Sequence, residues 1–162
     1  MGELFLAHST KKLTLMTGLI EACVRKLDAD QIWNRGGDTQ NSIGNLVLHL
    51  CGNVGQWIGW SIGGQPDIRE RDREFAEASK VGIDELLAKL NATVGDAVSI
   101  LEKFPPERLT ERVPTQDGER FALEVIYQVV GHFQQHAGQI VFATKLLTCE
   151  DLKFYTAPPR KA

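Results

Sequence analysis

The chain has 162 residues, of which 43% are apolar and 24% are charged, and its formal net charge is −3. These values are ordinary for a soluble globular protein, so we expect residues 1–162 to form a single domain. Basic and acidic residues are interspersed, which leaves no basic surface for nucleic acid, and no window holds the roughly 20 apolar residues that span a bilayer.

The amino-terminal segment and the cysteines indicate a cytoplasmic protein. The opening residues, MGELFLAHSTKK, have no long apolar run after a basic segment, unlike a secretory signal peptide. Cys23, Cys51 and Cys149 are odd in number and widely spaced, which favours reduced thiols over disulfides or a cysteine zinc site. We expect all three side chains to pack in the interior.

Apolar residues at helical spacing predict four long helices, at about 9–29, 43–62, 83–104 and 122–147. Asn41 or Ser42 is expected to cap the second helix, and the pair at 63–64, both glycine, to end it. The segment GGQPDIRERDREFAEASK that follows is long for a turn between packed helices, so we expect a crossover that makes the second and third helices parallel. Asp117 and Gly118 predict a small hairpin, and residues 150–162 a short tail with Pro158 and Pro159.

Three histidines on these helices form the candidate site. His132 and His136 lie one helical turn apart, on the face that also carries Val129 and Ile140, so both rings are expected to point into the bundle. His49 lies on an inward face of the second helix. Neutral imidazole suits zinc, nickel, copper and iron, and three protein nitrogens would leave one or more coordination positions open. The alternative is that the rings are surface or core residues without a metal.

Other polar residues have more open roles. His8 is expected to be a surface or capping residue rather than a fourth ligand. The charged run RERDREF, Arg69 to Phe75, is interpreted as a solvated loop with local ion pairs, and alternatively as an arginine anchor for a substrate carboxylate. Four amides one turn from the histidines are predicted to orient the rings or line a pocket, unless they are solvated: Asn45, Asn53, Gln128 and Gln139.

Missing motifs narrow the chemistry. A zincin has glutamate directly after its first histidine, but Phe133 follows His132. A di-iron bundle has glutamate three residues before each histidine, where this chain has Leu46 and Val129. No nucleophile elbow, P-loop or dinucleotide-binding glycine motif occurs.

The segments NSIGNLVLHLCGN, RERDREF and HFQQHAGQIVF resemble the DinB/YfiT-like metalloenzyme superfamily over nearly the whole chain. The resemblance implies an all-α four-helix bundle with a long crossover between helices 2 and 3. It also implies one divalent metal per chain, nickel or zinc, held by His49, His132 and His136. A homodimer that acts on a small-molecule substrate is implied as well.

The implied activity is a small-thiol-dependent transferase, because characterised members of the superfamily include transferases that use low-molecular-weight thiols and an isomerase that depends on such a thiol. A bound metal lowers the pKa of a thiol and so presents a nucleophile at neutral pH. Two alternatives stay open: a metal-dependent hydrolase, and a non-catalytic bundle that binds a metal or another ligand. No catalytic residue beyond the metal ligands is assigned.

Overall fold

The computed structural model describes residues 1–37, 39–77 and 81–154. Its elements in chain order are α1 (Gly2–Val24), α2 (Ala29–Trp33), α3 (Ile43–Val54), α4 (Arg71–Ala76), α5 (Ile83–Lys103), β1 (Arg112–Thr115), β2 (Gly118–Phe121) and α6 (Ala122–Thr148). A π-helical segment, Gly55–Trp60, continues α3, and a 3-10 turn spans Pro106–Thr110. The predicted all-α fold is confirmed: four long helices surround one cluster of buried apolar side chains.

Contacts at the helix ends fix the directions of α1, α5 and α6. Arg25 follows α1 and forms an ion pair of 3.6 Å with Asp84 in the first turn of α5. Lys26 pairs at 2.7 Å with Glu150, just after α6. The carboxyl end of α1 therefore lies beside the beginning of α5 and the end of α6, so α1 is antiparallel to α5 and parallel to α6.

The helices α3 and α5 run parallel, as the long crossover predicts. Near their beginnings, Gly44 lies against Trp33, whose indole N–H donates to the carbonyl of Val81. At the other end, the backbone of Gly63, just after the π-helical continuation of α3, lies against Ile100 in the last turns of α5. Because α5 is antiparallel to α1 and α6, the histidine-bearing helices α3 and α6 run antiparallel to each other.

Local hydrogen bonds set the beginning of α3, which carries His49. The hydroxyl of Ser42 accepts from the backbone N–H of Asn45 at 3.1 Å, and Asn45 Oδ1 accepts from the backbone N–H of Ser42 at 3.2 Å. This reciprocal cap satisfies donors that would otherwise be unpaired. Every residue from Ile43 to Cys51 is buried, so the helix carries its histidine through the core.

The first predicted helix differs from the structure at both ends. It begins at Gly2 rather than at residue 9, because Leu6 and Ser9 are buried and extend the inward face of the helix toward the amino terminus. It ends at Val24 because Asp28 starts a new helix, α2, by accepting from the backbone N–H of Gln31 at 2.8 Å.

Three further expectations concern single residues and the chain ends. Cys23 and Cys51 are buried as predicted. Cys149 is instead exposed, because it lies just after the end of α6, where the chain leaves the bundle in a left-handed conformation with φ 54°. Asp117 and Gly118 form the predicted hairpin, in which Thr115 pairs with Gly118. Of the predicted tail only 150–154 is described, and both prolines lie outside the described residues. Throughout 1–37, 39–77 and 81–154, none of the helices has the length and apolar character needed to cross a membrane.

Candidate metal centre

The three predicted histidines meet between α3 and α6. Nε2 of His132 lies 3.1 Å from Nε2 of His49 and 3.1 Å from Nε2 of His136. The three candidate ligand atoms lie within 4.8 Å of one another. His49 is buried, and His132 and His136 are half-buried, so the cluster joins the core to the protein surface.

Both separations measured from Nε2 of His132 are close to those that a divalent metal requires. Zinc–nitrogen bonds of about 2.0–2.1 Å in tetrahedral geometry separate two ligands by roughly 3.3 Å. Hydrogen bonds alone explain the cluster poorly, because Nε2 of His132 has either one proton or one lone pair, yet it has two close nitrogen neighbours. A metal held by three nitrogens satisfies both contacts together.

Burial keeps two of the rings in the protonation state that a metal requires. Burial lowers the pKa of His132 to about 4, and the charges of His136, His49 and Arg69 act in the same direction. The pKa of His136 is also lowered, because the effect of burial exceeds that of the hydrogen bond to Gln139, which acts to raise it. Both rings are therefore neutral at pH 7, so each keeps a lone pair for a metal.

Behind His49 lies a buried ion pair from the crossover. Nδ1 of His49 is 2.9 Å from Oε2 of Glu74, and Arg69 donates from Nε to Oε1 at 2.7 Å and from Nη2 to Oε2 at 3.0 Å. Burial raises the pKa of Glu74, but hydrogen bonds and charge from Arg69 and His49 together outweigh this and hold the pKa below its usual value. Glu74 is therefore ionised at neutral pH.

The solvated-loop interpretation of RERDREF is wrong for these two residues. The side chains of Arg69 and Glu74 are only 6% and 9% exposed, whereas Arg73 and Glu70 form the exposed pair that was expected. Arg69 is also poorly placed to anchor a substrate carboxylate, because its remaining Nη1 donates to Gln56 at 2.9 Å. Helical periodicity could not find the pair, because Arg69 precedes α4 and Glu74 lies within it.

Two of the four predicted amides contact the site. Asn45 is buried, and its Nδ2 donates to the carbonyls of Glu74 at 3.0 Å and Glu77 at 2.8 Å, which fixes the backbone that presents the Glu74 carboxylate. Oε1 of Gln139 lies 2.6 Å from Nδ1 of His136. These residues therefore support two different histidines.

The other two amides are placed differently. Asn53 lies one turn after His49, and its Oδ1, like Nδ1 of His132, is buried with no hydrogen-bond partner among the described residues. Gln128 is exposed and lines a shallow depression with Tyr127 and Leu123. Among the residues that the structure describes, no hydrogen bond joins Gln128 to a histidine.

A cavity of about 620 Å³ lies between α3, the crossover and α5. Its lining includes Arg69 and Glu74 but none of the three histidines. Cys51 also lines it, and burial raises the pKa of this thiol to about 11. Cys51 is therefore protonated at neutral pH and is not an activated nucleophile.

Comparisons with solved structures agree with the fold. A DinB-like protein, YjoA from Bacillus subtilis, superposes with a TM-score of 0.70 at 15% identity, over 91% of this chain and 96% of that one. A mycothiol-dependent maleylpyruvate isomerase gives a TM-score of 0.63 at 16% identity, over 86% of this chain and 67% of that one. A histidine-to-alanine mutant of the isomerase gives the same TM-score at 15% identity.

Sequence comparison identifies the family. No functionally curated protein matches the chain significantly. A family model described as a protein of unknown function, DUF1572, matches residues 1–161. The chain therefore belongs to the DUF1572 family and has the DinB-like four-helix-bundle fold.

Proposed function

We propose that this protein is a metal-dependent enzyme that holds one divalent metal, nickel or zinc, through His49, His132 and His136. The convergence of one ring nitrogen from each histidine within 4.8 Å carries the proposal. We further propose that it acts on a small-molecule substrate with a low-molecular-weight thiol as co-substrate or cofactor, in a transferase-type reaction.

The ligand set supports chemistry as well as binding. Three protein nitrogens leave at least one position of a four-coordinate metal open. A metal bound there would lower the pKa of a thiol and present a thiolate at neutral pH. Neutral imidazoles do not offset the positive charge that attracts this anion, and the half-exposed His132 and His136 leave the centre accessible from the surface.

The surroundings of the centre favour a thiol over water as the nucleophile. Attack by water is usually helped by a general base, but the carboxylate of Glu74 is held by Arg69 and His49. Gln134 and Gln135, next to the ligands in sequence, are uncharged and exposed. The isomerase with the same fold, which is mycothiol-dependent, adds support for a thiol, and a hydrolase or a non-catalytic metal-binding bundle is the alternative.

Metal content tests the first part of the proposal. Protein purified without a histidine tag should contain about one nickel or zinc ion per chain by elemental analysis. Alanine in place of His49, His132 or His136 should abolish this content. Replacement of His8, which is exposed on α1, is the matched control and should leave it unchanged. Wild-type protein that stays metal-free after reconstitution contradicts the proposal.

Turnover with and without thiols tests the second part. The metal-loaded protein is incubated with a panel of small electrophiles, including maleylpyruvate, in the presence of glutathione, mycothiol or no thiol. Thiol-dependent turnover that is lost in His132→Ala supports the transferase or isomerase chemistry. Thiol-independent hydrolysis supports the hydrolase, and a metal-loaded protein inert in all assays supports the non-catalytic bundle.

We also propose a cytoplasmic, single-domain protein that forms a homodimer. The three free cysteines are compatible with a reducing compartment. Exposed apolar side chains lie on the neighbouring helices α1 and α6 and offer contact area for a second copy: Leu4, Leu15, Leu123, Tyr127, Phe142 and Leu146. Sedimentation velocity should give the mass of two chains, and Phe142→Lys should shift the equilibrium toward monomer.

A further inference from the structure

We infer that Glu74, itself held by Arg69, is a positioning residue that fixes the ring of His49 with Nδ1 protonated and the Nε2 lone pair facing the metal. The inference rests on the proposed metal site, and it assigns to the crossover between α3 and α5 a direct role in building that site.

Proton placement around Nδ1 of His49 follows from the donors and acceptors there. Nδ1 has two close neighbours, Oε2 of Glu74 at 2.9 Å and Nη2 of Arg69 at 3.2 Å. Arginine only donates, and Nη2 already has an acceptor in Oε2 at 3.0 Å. The shorter, charge-assisted contact is therefore an N–H bond from His49 to the carboxylate. A ring whose single proton is on Nδ1 has its lone pair on Nε2, which faces His132.

Only a carboxylate satisfies this arrangement. Oε1 accepts from Nε of Arg69, while Oε2 accepts from Nη2 of Arg69 and from His49. A glutamine in place of Glu74 would have only one acceptor oxygen. Its NH₂ group would then face an N–H donor, from either Arg69 or His49. Glutamine is nearly the same size as glutamate but cannot serve both partners, which separates the role of the carboxylate from simple packing.

The three ligand rings are supported unequally. Nδ1 of His49 has a buried charged partner, and Nδ1 of His136 has a neutral partner in the exposed Gln139. Nδ1 of His132 is buried without a partner among the described side chains. His49 is therefore the most firmly oriented ligand. The crossover supplies this support through the Glu74 side chain, and Asn45 of α3 holds the Glu74 backbone in place by a bond to its carbonyl.

Ring-nitrogen NMR of the metal-free protein tests the inference without depending on metal loading. A free imidazole prefers the proton on Nε2, so we expect His49 in the wild type to show the opposite tautomer. In Glu74→Gln the His49 signals should move toward the Nε2-protonated form or an average of the two. A wild-type His49 that carries its proton on Nε2 would overturn the inference, even if every Glu74 variant failed to fold.

Metal affinity, measured by competition with a chromophoric chelator, gives the second readout. Glu74→Gln should bind zinc or nickel about 10–100-fold more weakly than wild type, and Glu74→Asp should recover part of the loss. Glu70→Gln and Arg73→Met, which remove the exposed ion pair of the same segment, are the matched controls and should stay within twofold. Unchanged affinity in Glu74→Gln, alongside loss of metal in His49→Ala, would overturn the positioning role while leaving the proposed function intact.

Discussion

Gly52 lies directly against the carboxylate of Glu74. A Cβ atom at Gly52 would overlap Oε1 of Glu74 and lie 3.1 Å from Nε of Arg69. A glutamate side chain can normally move away from a methyl group. Here its two oxygens are held by Arg69 and His49, so movement breaks the hydrogen bonds that orient a predicted metal ligand. The absence of a side chain at residue 52 is therefore part of the site.

Gly52→Ala should weaken metal binding, although the added methyl group meets Glu74 and Arg69 rather than a histidine. We expect a fall of about tenfold or more in affinity, because loss of a bond that orients a ligand typically costs 10–100-fold. Chelator competition measures the affinity, and circular dichroism checks that the helix content is kept.

Gly55→Ala is the matched control for this change. Gly55 follows α3 by one residue, and a Cβ there meets nothing within 4 Å. Alanine is a better helix former than glycine, so this variant should keep its affinity and gain up to about 1 kcal/mol in free energy of unfolding. Equal losses of metal affinity in both variants would show that a change in the helix, rather than displacement of the Glu74 carboxylate, causes the loss.

Gln139→Ala should have a smaller effect than Glu74→Gln. Gln139 contacts Nδ1 of His136 at 2.6 Å, but it is neutral and exposed, so water can replace its oxygen. We expect a loss of metal affinity no larger than about tenfold, the lower end of the range for groups that orient a metal ligand. Gln128→Ala, which changes an exposed amide on the same helix, should leave the affinity unaltered. An effect of Gln128→Ala as large as that of Gln139→Ala would contradict this distinction.

The part of the site that lies on long helices could be predicted from the sequence. His132 and His136 are one turn apart on a helix with a regular apolar pattern, and His49 lies on the inward face of another. Their convergence therefore follows once these two helices are placed next to each other in the bundle. Glu74 and Arg69 could not be found in this way. Their burial depends on how the crossover folds back over α3, and a stretch of mixed charge looks the same whether it is solvated or paired in the interior.

The same reasoning explains why two of the four predicted amides, Asn45 and Gln139, contact the site and the other two do not. Asn45 contacts the site through carbonyls 29 and 32 residues away, which no local pattern reveals. Gln128 and Gln139 lie on the same helix as His132 and His136, but only Gln139 lies where it meets a ring nitrogen. Helical spacing thus predicted which residues lie within a turn of the histidines along α6. It did not determine which of their side chains contact a histidine ring.

Asn45→Ala should lower the stability of the fold. The change removes the bond from the backbone N–H of Ser42 to Asn45 Oδ1 and leaves the carbonyls of Glu74 and Glu77 without their bonds from Nδ2, while the bond from the backbone N–H of residue 45 to Ser42 remains. We expect a loss of about 3 kcal/mol in free energy of unfolding, from about 1 kcal/mol for each of the three lost bonds. Urea denaturation measures this loss. Asn91→Ala, which removes a local bond to Leu87 on α5, should change the stability by less than about 0.5 kcal/mol.

Metal binding should stabilise the crossover as well as the helices. A ligand that binds only the folded state adds about 2.7 kcal/mol of stability at a concentration of 100 times its Kd, so zinc or nickel should raise the melting temperature of the wild type. His132→Ala should show no such rise. Because Glu74 joins the crossover to His49, amide hydrogen exchange over residues 67–77 should slow on metal addition.

Glu74→Gln distinguishes this coupling from a general stabilisation of the bundle. Without the carboxylate, metal at a saturating concentration should still slow exchange in α3 and α6, which carry the ligands, but should have little effect on residues 67–77. Equal slowing of this segment in the variant and in the wild type would mean that the crossover responds to metal through packing alone. Because the exposed pair of Glu70 and Arg73 lies in the same segment, Glu70→Gln should behave as wild type and exclude an effect of lost charge in general.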